Sequence, residues 1–363
     1  MPPAPDPARL LTGRLEPVAN VLGDRAGLVV AAYTAGETAT LCRGFTDRTG
    51  TVPVTDRTRF ELGSVTKTFT SLLLADLAVR GTVRLDDPLS ARIPVRSLPR
   101  SPVAADITLE HLATHTSGLP RLPPGLLRTA LPSWTTNPYQ AYPPDALLDS
   151  LARSRPRHTP GTRVRYSNFG VGLLGRLLTE QAATGYGALL RAHVLEPLAL
   201  TDTTADAAEP QATGHWHGRP RPPFLIPAMP AAGALRSSAR DLLRYLRGLI
   251  APHTTTPPGD PLNLALHEVA RARRRAPDGP ELCLGWTRRV RPGHAPALYF
   301  HSGATRGFTA FIGFSQEPAV AVVALTNTAP GPHSRFVQAA YQLLGDLARE
   351  PGGRRYFEDT DTP

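Results

Sequence analysis

Strand-forming segments lie only toward the two ends of this chain, and that separation constrains its fold more than any other feature. Apolar and β-branched runs at 27–33 and 38–45, joined at Gly36, have the pattern of a hairpin. The next strand-like runs come only at 281–290, 297–301, 309–315 and 320–326. Between them the apolar spacing is helical, clearest at 106–114, 145–153, 169–182, 186–195 and 238–250, with proline-rich loops separating the segments. Further helices are predicted over 7–22, where Leu10, Leu11, Leu15 and Val18 share a face, and over 334–349. The simplest arrangement is an α+β fold: an antiparallel sheet built from both termini, flanked by the terminal helices, with an all-helical lobe inserted. The expected parts are 1–81, ending in a helix over 65–80 that stops at Gly81; a mainly helical 82–280; and 281–363, which completes the α/β lobe. A chain of 363 residues is longer than one core usually serves, which also favours two lobes.

Composition removes several classes of function. With 41% hydrophobic and 19% charged residues, the chain reads as globular. Its longest apolar run, 26–33, is too short to cross a bilayer. Residues 1–20 lack the basic start and apolar stretch of a secretory signal, so the expected compartment is the cytoplasm. Cys42 and Cys283 lie in separate strand-like runs and read as buried free thiols. No CxxC pair, HExxH helix or Cys/His cluster suggests a metal, and His215-Trp216-His217 reads as a loop in a Pro/Gly-rich stretch. The formal net charge is +10, yet the basic residues are scattered, with 271–275 (RARRR) the only dense cluster. No nucleic-acid-binding motif accompanies it, so neither nucleic acid nor membrane is an expected partner.

Of the 40 basic residues, Lys67 is the single lysine. Arginine does not surrender its proton in proteins, so a chain that otherwise uses arginine keeps one titratable amine here. Lys67 belongs to Gly63-Ser64-Val65-Thr66-Lys67, which opens an apolar helix. Residues i and i+3 share a helix face, so Ser64 and Lys67 can touch. A desolvated lysine can take the serine proton, and the Ser64 N–H at a helix start can hold an oxyanion. In Tyr166-Ser167-Asn168 the phenol is placed to shuttle a proton, and the Asn168 amide to bond Lys67 and a substrate carbonyl, although the bland reading is a helix entry capped by Asn168. In His301-Ser302-Gly303-Ala304, Gly303 would admit a substrate to the backbone and the Ala304 N–H would complete an oxyanion hole; the bland reading is a strand end and turn.

In this order the three groups resemble the Ser-x-x-Lys, Tyr-x-Asn and Lys/His-x-Gly motifs of the serine β-lactamase and D-Ala-D-Ala carboxypeptidase superfamily. The likeness includes flanking text such as TRFELGSVTKTFTSLLLADL, ITLEHLATHTSGLP, PGTRVRYSNFGVGLLG and HSGATRGFTAFIGF, closest in character to class C and family S12-like esterases. It implies Ser64 as nucleophile, Lys67 as its base, Tyr166 as second proton shuttle, a substrate site lined by Asn168, His301, Ser302, Gly303 and Ala304, and oxyanion donors at Ser64 and Ala304. It implies no cofactor and no metal. Most β-lactamases of that superfamily carry Lys where His301 stands, and a neutral imidazole attracts a carboxylate less. The expected activity is therefore acylation of Ser64 by a small ester, thioester or amide and transfer to water, an amine or an alcohol, as a cytoplasmic esterase or a transacylase of specialised metabolism. The alternatives are a β-lactamase or D-Ala-D-Ala carboxypeptidase, and a silent binding module. His115 and Ser117 of THTSGLP read as a structural turn, Asp86 and Asp87 as organisers of the LDDPL turn, and Trp134 as a residue at the pocket edge.

Overall fold

The computed structural model describes residues 7–349 apart from 24–25, 35, 157, 276–278, 291–295 and 332–333. Its strands are β1 (Leu28–Thr34), β2 (Glu37–Arg43), β3 (Phe60–Glu61), β4 (Gly214–Trp216), β5 (Arg219–Arg221) and β6 (Arg236–Ser237). They continue with β7 (Arg274–Arg275), β8 (Glu281–Leu282), β9 (Thr287–Arg289), β10 (Leu298–Ala304), β11 (Thr309–Ser315) and β12 (Val320–Thr326). The helices are α1 (Pro7–Ala19), α2 (Thr66–Val79), α3 (Leu109–Ala113), α4 (Leu126–Ala130) and α5 (Ala146–Ala152). After them come α6 (Asn168–Ala182), α7 (Tyr186–Leu190), α8 (Ala239–Ile250), α9 (Pro261–Val269) and α10 (Arg335–Arg349).

Eight strands form one antiparallel sheet in the order β2-β1-β12-β11-β10-β9-β8-β7. The first and last strands of the long set pair directly, with Leu28 opposite Thr326 and Thr34 opposite Val320. Side chains alternate between faces along a strand. Leu28, Val30 and Ala32 of β1 thus join Val320, Val322 and Ala324 of β12 in a core beneath α1 and α10. Val29 and Ala31 join Ala321, Val323 and Leu325 in the larger core on the other face. Because both faces are covered, these strands are apolar continuously rather than alternately. Each buried Val or Leu contributes about 1.5–3 kcal/mol of hydrophobic stabilisation.

The structure has the fold expected from the sequence: an antiparallel sheet with terminal helices and a helical region inserted between the strands. Details differ. The run 281–290 breaks into β8 and β9 because Gly285 turns the backbone at φ +72°. Helix α8 lies on the sheet, against β1, β11 and β12, rather than among the inserted helices. Helix α9 is a further helix, outside the segments of clearest helical spacing, entered through Asp260, whose carboxylate accepts the Leu262 N–H at 2.8 Å. His215 and Trp216 lie in a β4–β5 hairpin whose turn, His217-Gly218, has positive φ at both residues, as hairpin turns favour. The 271–275 cluster is engaged in ion pairs with Glu110, Glu268 and Glu281. Cys283 is buried, with its thiol pushed up to about 12 by desolvation, whereas Cys42 is half-buried. No helix among the described residues is long and apolar enough to cross a membrane.

Candidate active site

Helix α2 is enclosed by protein on every side, with Phe69, Leu72, Leu73, Leu74 and Ala75 fully buried. It begins in a 3₁₀ turn over Gly63–Val65, entered at Gly63 with φ +49°. That turn leaves Ser64 half-exposed and puts Lys67 one turn further into the core, 1% exposed. Lys67 Nζ donates to Ser64 Oγ at 3.0 Å and to the Ala232 carbonyl at 2.7 Å. Burial is the main cause holding the Lys67 ammonium below the ordinary lysine range; the Tyr166 hydroxyl opposes that shift, and the Arg121 charge adds to it. A lysine so placed is readier to be neutral, and the same nitrogen then becomes an acceptor for the serine proton.

Tyr166 completes a three-membered cluster, its hydroxyl donating to Ser64 Oγ at 2.6 Å and its ring centre 5.0 Å from Lys67 Nζ. The next residue, Ser167, is the N-cap of α6 and accepts the Gly170 N–H at 2.8 Å. Asn168, expected as the cap, is instead the first residue of the helix. Its Nδ2 donates to the Tyr139 hydroxyl at 3.0 Å rather than serving Lys67, and its Oδ1 is buried with no partner among the described residues. An unpartnered buried acceptor in a cleft is suited to a ligand N–H.

His115, dismissed from sequence as part of a structural turn, holds Tyr166 from both sides. Its carbonyl accepts the Arg165 N–H at 2.8 Å and its Nδ1 accepts the Ser167 N–H at 3.3 Å. Its ring lies 4.5 Å from the Tyr166 ring. A left-handed backbone at φ 60° turns both groups toward this one segment. Desolvation, then the Lys67 and His301 charges, push its pKa down to about 3, so it is neutral at pH 7.

The third motif forms the last four residues of β10, so the strand runs three residues past its expected end at His301. His301, Ser302, Gly303 and Ala304 pair with Ile312, Phe311, Ala310 and Thr309 across β10 and β11. Gly303 is needed for contact with the protein's own backbone: a β-carbon there would lie 2.0 Å from the Leu62 carbonyl oxygen and 2.8 Å from the Ser64 nitrogen. His301 Nδ1 lies 2.8 Å from the Ser302 carbonyl, which can only accept, so Nδ1 carries the proton and Nε2 is an acceptor. Although half-exposed, the ring is driven to a pKa of about 4 by desolvation and then by the Lys67 charge.

Sequence reasoning misses the turn opposite α2. A 3₁₀ turn over Pro230–Ala232 offers two carbonyls: Ala231 accepts from Thr70 Oγ1 at 2.8 Å and Ala232 from Lys67. It sits against α6 at Gly172 and Gly175, where a β-carbon would strike Met229 at 2.4 Å and Ala231 at 2.2 Å. Ser64, Tyr166, Asn168, His301, Gly303 and Ala304 share one cleft of about 560 Å³, which Lys67 underlies without lining. Another cavity, about 520 Å³, is lined by Arg240, Arg244 and Arg247 and by none of the motif residues. Asp86 and Asp87 bond Arg84 and Arg92 at the turn. No cluster of three or more metal-ligating side chains occurs among the described residues.

The sequence profile of the Beta-lactamase family matches residues 15–355. The chain belongs to the beta-lactamase family. It is a serine hydrolase of that family. Its relatives include a Beta-lactamase of Yersinia enterocolitica, 28% identical over 356 residues spanning 88% of this chain and 87% of that protein. The D-alanyl-D-alanine-carboxypeptidase/endopeptidase AmpH of Escherichia coli (strain K12) is 25% identical, covering 81% of this chain and 76% of its own length. Among solved structures, a class C beta-lactamase superposes with a TM-score of 0.81 over 96% of this chain and 99% of its own, at 21% identity, a likeness of fold.

Proposed function

We propose that this beta-lactamase-family protein cleaves an acyl donor through a covalent acyl-Ser64 intermediate and passes the acyl group to water. The observation that carries the proposal is the cluster at Ser64 Oγ, with Lys67 Nζ at 3.0 Å and Tyr166 Oη at 2.6 Å. Lys67, once neutral, takes the serine proton as Oγ attacks the carbonyl carbon. The N–H groups of Ser64 and Ala304 stabilise the oxyanion, and Tyr166 delivers a proton to the departing group. Water then attacks the acyl-enzyme, its proton passing to the Tyr166 phenolate, while protonated Lys67 returns a proton to the departing Ser64 oxygen. No cofactor takes part in these steps.

The named relatives favour a β-lactam or a D-alanyl peptide as the acyl donor. One observation favours a second reading, an ester: His301 offers a neutral ring where the superfamily's β-lactamases offer an ammonium. Transfer to an amine or alcohol uses the same intermediate. Intact-protein mass spectrometry decides the core of the proposal. A chromogenic cephalosporin and a nitrophenyl ester are each mixed with wild type and Ser64→Ala. An adduct on wild type alone is expected, and the donor that reacts faster identifies the class. Equal acylation of Ser64→Ala would show the nucleophile to be another residue.

A further inference from the structure

Beside the cleft lies an annex of about 320 Å³. Arg121, Tyr139 and Ala304 line both spaces, so one molecule can occupy both. The annex has an apolar wall in Leu122, Leu126 and the edge-to-face pair Tyr139–Phe224, with ring centres 5.7 Å apart. Its charged residues are Arg121 and Arg306, and no Asp or Glu lines either space among the described residues.

Both arginines are held in place. The Arg306 guanidinium lies 5.9 Å from the Trp134 ring centre and 5.5 Å from that of Trp216, with Nη2 donating to the Trp134 carbonyl at 2.8 Å. A guanidinium has five N–H donors, so others remain for a ligand. The Arg121 carbonyl accepts the Asn168 and Phe169 N–H groups at 3.0 and 3.2 Å, which ties this residue to the start of α6, and its guanidinium lies 5.4 Å from the Tyr166 ring centre. Phe224 is fixed by buried groups: its N–H donates to Glu61 at 2.6 Å and its carbonyl accepts from Arg236 at 2.6 Å. Meanwhile His301, about 10 Å along β10 from Ala304, is neutral at pH 7 and presents an acceptor. A substrate anion therefore meets attraction at the annex and none at His301.

We propose that the annex binds a carboxylate carried on a short methylene arm of the acyl donor, between Arg121 and Arg306. The forked guanidinium matches a carboxylate, and the wall beside it covers the arm. This deepens the acyl-Ser64 reading and rests on it. The experiment compares the mono-nitrophenyl ester of glutaric acid with nitrophenyl pentanoate, an uncharged analogue with the same number of carbons. At low ionic strength, kcat/KM is expected to favour the glutaryl ester by about tenfold or more, with the preference shrinking as salt rises. Arg306→Gln should reduce that ratio severalfold, and Arg306→Lys should retain more of it. A wild-type ratio of one or less, or an unchanged ratio in Arg306→Gln, would overturn the proposal. Calorimetry of methyl hydrogen glutarate binding to Ser64→Ala reads the annex without chemistry. Failure of both esters to acylate Ser64 would defeat the proposed reaction, whereas absent binding, or binding that Arg306→Gln leaves unchanged, defeats the carboxylate site.

Discussion

Gly63 and Gly303 each face the other's neighbour with no room for a β-carbon: one at Gly63 would lie 2.4 Å from the Ala304 carbonyl oxygen, and one at Gly303 2.0 Å from that of Leu62. This contact seats the turn bearing Ser64 on the strand bearing Ala304, so it sets the spacing of the two N–H groups proposed for the oxyanion. Gly303→Ala should push the strand and the turn apart. The neighbouring atoms are backbone and yield little, so a stability loss of about 1–3 kcal/mol is expected. Acylation should fall by roughly 10²–10³-fold, the usual effect of a lost oxyanion donor. Thermal melts and stopped-flow acylation separate the two effects.

Lys67→Arg should be nearly as damaging as Lys67→Ala although it keeps the charge. A guanidinium stays protonated across accessible pH and cannot receive the serine proton. Loss of general-base assistance predicts acylation slower by roughly 10²–10⁴-fold in both variants. Near-wild-type acylation by Lys67→Arg would show that the lysine supplies only a positive field.

The lowered affinity of Lys67 for its proton sets a sign for pH dependence. As pH rises, neutral Lys67 accumulates earlier than for a free lysine, so the acid limb of kcat/KM should fall below the ordinary lysine range of 10.5. Between the folded and unfolded pKa values the unfolded chain holds more protons, so unfolding free energy should rise with pH there. His115 and His301 behave likewise lower down. Their folded pKa values of about 3 and about 4 lie below the unfolded 6.5, so stability should fall as pH drops below 6.5. Urea denaturation from pH 4 to 7 measures this, and a flat midpoint across that range would contradict the assignment.

His115→Asn keeps a residue that tolerates a left-handed backbone but removes the ring against Tyr166. If His115 positions Tyr166, kcat should drop about 10- to 100-fold with little change in KM, and the basic limb of the pH profile should move. A Tm shift with an unaltered profile would assign His115 a structural role alone.

Much of the fold is legible in the sequence because β1 and β12 are buried on both faces and so read as largely apolar runs at 27–33 and 320–326. Ser64, Lys67 and Tyr166 are legible through spacing and through the solitary lysine. Helix α9 is less so, since Pro257, Pro258 and Pro261 around Gly259 look like loop, although Asp260-Pro261 is a helix-entry signal. The Ala232 carbonyl is a backbone group, and no side chain announces it. Gly303 looks like room for a substrate, because only the folded chain reveals Leu62 and Ser64 against it. His115 looks like turn punctuation until its φ and its bonds on either side of Tyr166 are seen.

The pairing of β1 with β12 also dictates timing. Ser64, Lys67 and Tyr166 leave the ribosome well before β10, and the sheet cannot close its middle until β12 has emerged. Contacts between segments so distant in sequence form late and slowly. A nascent chain ending before Leu298 therefore carries its nucleophile and proton carriers without the strand that bears Ala304. The two N–H groups proposed for the oxyanion are therefore brought together only after β10 has been made, long after the residues that move the proton.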